Sequence, residues 1–202
     1  ALAHRFVHPQ DIAFFGHLML YLGAHWYEDP IYHFIARHLH AENEIIDRRI
    51  EHITWIFNQS MPHILGENLE NSLNIIQTLL AWYVGQSKAS LSVNVIVTKL
   101  AQTAKPYFSR YVNEKHVMAH VRLSLENAQK QFGVTSNYQQ SAWILLSLLL
   151  GIGFYRDPLM PWARDILMAN NRLDEKMDAL LKMLQKRANK MLNTLKEKAL
   201  DV

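Results

Sequence analysis

A segment of fifteen residues occurs twice in this chain, and this doubling constrains the fold more than any single residue does. Residues 17–31 and 145–159 align without a gap at an offset of 128, with seven of the fifteen positions identical. The identical pairs include Gly23/Gly151, Tyr27/Tyr155, Asp29/Asp157 and Pro30/Pro158. Internal self-similarity fixes an architecture before any chemistry is considered.

The shared motif predicts a corner between two helices at both places. An aspartate side chain accepts from free helix amides, and a following proline fits the first helical position without losing a needed donor. The residue before a proline also avoids the helical region, so the preceding helix must end there. The glycine four residues ahead of the tyrosine leaves room for a second backbone to pass closely.

Helical periodicity extends over nearly the whole chain, which predicts an all-α fold. We expect one domain over residues 1–202, a bundle of eight or nine helices. Related segments at about 10–58 and 138–190 flank a helical insert at about 60–133. Ser136 with Gln139 matches a capping box, and Gly133 fits a helix C-terminus. Pro62 and Pro106 are expected to end helices.

The composition excludes several kinds of catalytic and metal-binding site. The chain contains no cysteine, so disulfides, thiolate metal sites and thiol nucleophiles are excluded, and a reducing cytoplasmic location is expected. The first residue is not Met and no basic and then apolar leader follows it, so we expect a signal peptide to be either absent or already removed. The apolar run 142–155 is shorter than the ~20 residues of a membrane-spanning helix, which predicts a buried core helix.

Charge is divided unevenly along the chain. Residues 1–70 hold 4 Lys and Arg against 9 Asp and Glu, whereas residues 71–202 hold 17 against 9. Nine of the eleven histidines also lie in the acidic first third. Because histidine titrates near neutral pH, this distribution predicts a surface whose charge responds to pH.

Two histidine pairs have the spacing of metal ligands. His4/His8 and His116/His120 are each four residues apart, which places two imidazoles on one helical face. The chain has no Glu-x-x-His, however, which di-metal helical bundles require. A metal- or haem-binding protein that uses histidines is therefore the alternative hypothesis, and no cofactor is expected.

Other functional motifs are few. No Gly-x-Ser-x-Gly is present, and the glycines at 151 and 153 follow a helix instead of opening one, so the sequence favours a non-enzymatic protein. A second alternative is a small nucleic-acid-binding subunit, because cations are interleaved with aromatic residues near the middle of the chain. These residues are Lys99, Lys105, Tyr107, Phe108, Arg110, Tyr111, Lys115 and Arg122.

The final helix is the best candidate for an interaction surface. Its candidate residues are Leu184, Arg187, Met191 and Leu195, and lysines flank the apolar positions. A basic amphipathic helix is typical of docking into an acidic groove or onto another chain. We therefore expect a helical protein–protein interaction or adaptor protein that self-associates, with this helix bound to the acidic segment around Glu42, Glu44 and Asp47 of another copy.

Overall fold

A computed structural model describes residues 9–39, 46–65, 69–108 and 112–200, and all regular structure in these ranges is helical. The prediction of an all-α bundle with eight or nine helices is confirmed. The α-helices in these ranges are α1 (Pro9–Leu22), α2 (His33–Ala36), α3 (Ile46–Leu65), α4 (Leu69–Val84), α5 (Val93–Phe108), α6 (Glu114–Phe132), α7 (Asn137–Leu150), α8 (Pro161–Met168) and α9 (Leu173–Leu200). Short 3-10 turns lie at Trp26–Glu28, Pro30–Tyr32, Lys88–Ser90 and Phe154–Arg156.

The local signals around α6 and α7 act as the sequence predicts. Gly133 follows α6 in the left-handed conformation at φ 70°, which a residue with a side chain adopts at a cost. The Ser136 side chain accepts from the Gln139 amide while Gln139 caps the Ser136 amide, so the capping box is complete. These two features fix the end of one helix and the start of the next.

The prediction that Pro62 and Pro106 end their helices is wrong. Both prolines lie inside the last turn of a helix, since α3 continues to Leu65 and α5 to Phe108. A proline has a φ close to the helical value, so the residues after it can continue the helix. The continuation costs one backbone hydrogen bond and crowds the carbonyl four residues earlier.

Two hydrophobic cores organise the bundle. The larger one surrounds α7, whose residues from Ser141 to Ser147 are all buried, and takes side chains from α4, α5, α6, α8 and α9. The smaller one joins α1, α2 and α3 through residues such as Phe15, Trp26 and Ile53. Leu148 of α7 packs against both cores. The apolar run 142–155 therefore begins as the predicted core helix, and none of the described helices is long and apolar enough to cross a membrane.

The order of elements repeats along the chain. α1 and α7 end at Leu22 and Leu150, 128 positions apart. The turns at Trp26–Glu28 and Phe154–Arg156 keep that offset, as do the first residues of α2 and α8. Two chain segments thus share one succession of helices and turns, while an internal duplication as their origin stays a prediction.

Candidate functional site

The two repeated motifs meet where α1 and α7 end. Gly23 and Gly151 follow these helices at φ 89° and 93°, backbone conformations that residues with a side chain rarely adopt. A Cβ on Gly23 would lie 3.4 Å from the carbonyl oxygen of Leu150, and a Cβ on Gly151 would lie 3.7 Å from that of Leu22. Each glycine thus packs against the end of the other helix at ordinary contact distance, and its positive φ is the reason that the motif needs glycine.

Equivalent residues of the two corners also touch each other. The His25 ring lies so close to Gly153 that a Cβ there would overlap it, and these residues are 128 positions apart. Glu28 and Arg156, separated by the same offset, form an ion pair of 3.2 Å. Reciprocal contacts between equivalent positions are the property of a two-fold interface. The two corners are thus packed face to face about an approximate two-fold axis.

In both corners, a buried aspartate side chain accepts a hydrogen bond from the backbone amide two residues later. Asp29 Oδ1 accepts from the Ile31 amide at 3.0 Å, and Asp157 Oδ1 accepts from the Leu159 amide at 2.8 Å. Pro30 then begins a 3-10 turn that leads into α2. At the second corner the prediction of a helix cap is wrong, because α8 begins only at Pro161. Asp157 and Pro158 form a turn ahead of it.

The two carboxylates differ in their remaining partners. Asp157 Oδ2 accepts from the Ala24 amide at 3.1 Å and so ties the second corner to the first. Asp29 Oδ1 instead lies 2.8 Å from His120 Nδ1, and His120 Nε2 lies 3.0 Å from Ser147 Oγ. All four side chains are buried. This chain of polar groups connects the first corner to α6 and α7.

An aspartate, a histidine and a serine in this order resemble a nucleophilic triad, but their burial gives them another role. His120 and Ser147 are fully buried, and the Ser147 hydroxyl also donates to the Ile144 carbonyl at 3.1 Å. A nucleophile must reach a substrate and an oxyanion site beside it. We therefore assign Asp29, His120 and Ser147 to a buried hydrogen-bond network that fixes how three elements pack.

The candidate metal histidines are not brought together. His116 Nδ1 accepts from the Asn113 amide at 3.2 Å and closes the capping box of α6, while its ring stacks on His33 with a centroid distance of 3.6 Å. His120 has a protein partner at each ring nitrogen. His4 and His8 lie outside the described residues. Within the described part of the chain, no three His, Asp or Glu side chains form a group suited to a metal ion.

The tyrosines of the motif have packing roles. Tyr155 is buried against Trp143 and Phe132, and its hydroxyl accepts from Gln131 at 3.0 Å. Tyr27 is half-buried, with its ring 5.9 Å from that of Phe15. Both rings fill the space under their corners.

The outer side of α9 carries a basic face, which we define as Lys182, Lys186, Arg187, Lys190 and Met191. All five residues are exposed, and Met191 retains 47% of its accessible surface. Leu184, predicted to belong to the interaction surface, is buried in the larger core. The Arg187 guanidinium lies 5.2 Å from the Trp162 ring centroid. The side chain of Leu195 lies outside the described set.

A second exposed face, which we call the acidic face, runs along α3 and is formed by Asp47, Glu51 and Trp55, with the exposed Arg48 three residues before Glu51 at its border. The three residues of the face are four apart, so they share one side of the helix. All three are exposed, and Trp55 retains 66% of its accessible surface, an unusual value for so large an apolar side chain. Glu42 and Glu44, named with Asp47 as the acidic segment, lie outside the described residues.

The residues suggested for nucleic-acid binding form no continuous surface that the structure describes. Lys99 lies over the Trp82 ring at 5.6 Å in a groove between α4 and α5. Lys115 and Arg122 are exposed on α6. The remaining residues of that set fall outside the described side chains; they are Lys105, Tyr107, Phe108, Arg110 and Tyr111.

The fold and this junction define an all-α helical bundle with two paired corners. No protein-family model matches the chain, and neither a curated protein nor a solved structure matches it. The case for a function therefore rests on the surfaces and buried groups described above.

Proposed function

We propose that this chain is a helical protein–protein interaction protein of the adaptor type that associates with copies of itself. The observation that carries the proposal is the basic face of α9. No acidic residue occurs between Asp178 and Glu197. Lys182 lies four residues from Asp178, but Lys186, Arg187 and Lys190 have no acidic neighbour within one helical turn of α9. Uncompensated charge of one sign attracts partners of the other sign.

The geometry of α9 leaves this face free for a partner. Leu180, Leu184, Ala188 and Leu192 are buried and take up the inner side of the helix. Lys182, Lys186 and Lys190 are spaced by four residues along its outer side. Met191 lies four residues from Arg187, nearer the buried side of the helix. A flexible apolar side chain among cations is typical of adaptable binding surfaces.

The occupant that we propose is the acidic face of α3 from a second copy. Asp47 and Glu51 would pair with the lysines, and Trp55 offers an aromatic surface to an Arg or Lys side chain and to Met191. Two α9 helices placed side by side would instead bring like charges together, which is unfavourable. The contact is therefore between unlike faces, and each copy keeps one free face of each kind.

Two charge-reversal variants test the pairing directly. Lys186→Glu/Lys190→Glu changes the basic face, and Asp47→Lys/Glu51→Lys changes the acidic face. Each variant alone should sediment as a monomer, whereas an equimolar mixture should associate again, because each variant keeps the face that the other needs and the two reversed faces also carry opposite charges. Lys115→Glu/Arg122→Glu on α6 is the matched control, and it should self-associate like the unmodified chain.

Sedimentation velocity over a range of concentrations and salt gives the answer. Association of the unmodified chain should weaken as salt rises, because exposed charges are screened. A chain that stays monomeric at tens of micromolar would contradict self-association. Loss of association in the α9 variant without recovery in the mixture would leave α9 as the interface and rule out α3 as its partner.

A further inference from the structure

A cavity of about 150 Å³ opens at the junction of the two corners. It is lined by the last turns of α1 and α7 together with residues of the second corner. The lining residues that matter here are Leu20, Leu22, Leu148, Leu150, Tyr32 and Asp157. Two helix C-termini, each with the negative end of its dipole, therefore border the same space.

Some backbone carbonyl oxygens in the last turns of α1 and α7 accept no hydrogen bond from any backbone amide that the structure describes. The last carbonyls of a helix lack intrahelical donors and need another partner when they are buried. Among the described residues, no backbone amide donates to the carbonyls of Leu20, Leu22, Leu148 or Leu150. The Ala24 amide, one of the amides that could close the end of α1, binds Asp157 Oδ2 instead.

A buried negative charge adjoins these carbonyls. Asp157 is only 4% exposed, and within the described part of the chain no Lys, Arg or His nitrogen lies at ion-pair distance from it. Its neighbour Arg156 pairs with Glu28. The equivalent carboxylate of Asp29 has His120 beside it. A buried carboxylate is costly unless it is paired or coordinates a cation, so Asp157 lacks the kind of partner that Asp29 has.

Two of these oxygens lie beside Gly23. The Leu150 carbonyl oxygen and Asp157 Oδ2 lie 3.4 Å and 3.9 Å from the point that a Cβ on Gly23 would occupy. Tyr32 also lines the cavity, and burial, followed by the charge of Asp29, raises the pKa of its hydroxyl, so Tyr32 adds no second negative charge there.

We propose that this cavity binds a monovalent cation of the K⁺ class. Hard cations take carboxylate, carbonyl and water oxygens as ligands, and rings of carbonyl oxygens replace the hydration shell of K⁺. One carboxylate is neutralised by one positive charge, whereas a divalent ion would leave an excess charge in a buried site. The site joins both corners, so the cation would stabilise their pairing.

Thermal unfolding of the full chain tests this proposal. The midpoint in KCl should exceed that in N-methylglucamine chloride at equal ionic strength, since only K⁺ is small enough to enter the cavity. At ten times the dissociation constant the rise should be about 3–6 °C. Thallium(I), which substitutes for K⁺, should give an anomalous peak beside Gly23 in soaked crystals.

Two matched variants separate the site from general stability. Asp157→Asn should abolish the K⁺ dependence of the midpoint. Asp29→Asn should lower the midpoint in both salts but keep its K⁺ dependence, because Asp29 contacts His120 and does not line the cavity. Equal midpoints for the unmodified chain in the two salts, together with no thallium peak, would overturn the proposal. A K⁺ effect that persists in Asp157→Asn, or is lost equally in both variants, would also overturn it. Should Asp157→Asn fail to fold, the thallium peak of the unmodified chain decides.

Discussion

The corner at Asp29 and the corner at Asp157 follow the same succession of helix, glycine and 3-10 turn, yet their carboxylates have different partners. Asp29 contacts His120, which continues to Ser147. Asp157 contacts the Ala24 amide and borders the cavity. The backbone of a corner is therefore set by its own residues, while the groups that satisfy its buried charge come from elsewhere in the chain.

This difference has a simple physical origin. Gly, Asp and Pro set the backbone conformation within a few residues of their own position, so the same residues form the same turn twice. His120 belongs to α6, in the segment between the two corners, and that segment has only one copy. Asp29 meets His120 of α6, whereas Asp157 meets the Ala24 amide that follows α1, so each carboxylate has a different neighbour.

The largest expected effect is the loss of the histidine beside the first carboxylate. His120→Ala leaves Asp29 buried without that partner and opens a cavity, so it should lower the free energy of unfolding by about 3–5 kcal/mol. Urea denaturation measures the loss. Ser147→Ala should cost less, about 1–3 kcal/mol, since it removes the hydrogen bonds to His120 and to the Ile144 carbonyl and leaves His120 Nε2 without that partner.

The network of Asp29, His120 and Ser147 should matter little to the second corner. The K⁺ dependence proposed for the cavity at Asp157 should persist in Ser147→Ala, which keeps both carboxylates in place. If His120→Ala costs no more than a surface substitution, the Asp29–His120 contact does not stabilise the fold and the contrast between the corners is lost.

A smaller effect is expected where the corners touch at equivalent positions. Gly153→Ala should destabilise the chain by about 1–3 kcal/mol, because the new methyl group overlaps the His25 ring. The double variant His25→Ala/Gly153→Ala should recover most of this loss. Additive effects in a double-mutant cycle would show that the two residues do not meet.

The smallest effect concerns pH and the His33–His116 stack. Burial, followed by the proximity of His116, lowers the pKa of His33. An unfolded histidine has a pKa of about 6.5, so below that value the unfolded chain binds a proton that His33 in the folded chain resists. Stability should therefore fall as pH decreases through about 6.5, by less than about 1 kcal/mol for this group because solvent screens it.

His116→Gln isolates this contribution. Glutamine at the third helical position can still complete the capping box with Asn113, while the ring and its charge are gone. Urea denaturation at pH 7.5 and 5.5 should show a weaker pH dependence than in the unmodified chain. An unchanged dependence would mean that the stack has no part in it.

Local patterns predicted the helices well and the buried contacts poorly. The core position of α7 follows from its long uncharged apolar run, and the ends of α6 and α7 follow from Gly133 and Ser136. Helices α3 and α5 pass the prolines that were expected to end them, because whether the last turn forms also depends on packing.

The Asp29–His120–Ser147 network could not have been read from spacing. Its members are 91 and 27 residues apart, and nothing in the sequence marks His120 as different from His116. Of the residues predicted for an interaction surface, Arg187 and Met191 are exposed, while Leu184 belongs to the larger core. Whether this surface binds a partner stays a prediction.

The central claim is that equivalent residues of the two corners meet within one chain. Because the chain has no cysteine, pairs of cysteines can be introduced without removing any. Glu28→Cys/Arg156→Cys replaces an ion pair of 3.2 Å. Glu28→Cys/Lys88→Cys is the control, since Lys88 contacts Tyr138 at the start of α7, a helix of about 20 Å whose far end adjoins the corners.

Treatment with a short bifunctional maleimide, followed by mass spectrometry of the peptides, gives the result. The account predicts a rapid cross-link within single chains for the pair at positions 28 and 156, and none for the control pair. Equal cross-linking of both pairs, or cross-links between positions 28 and 156 that form only between separate chains, would contradict the claim.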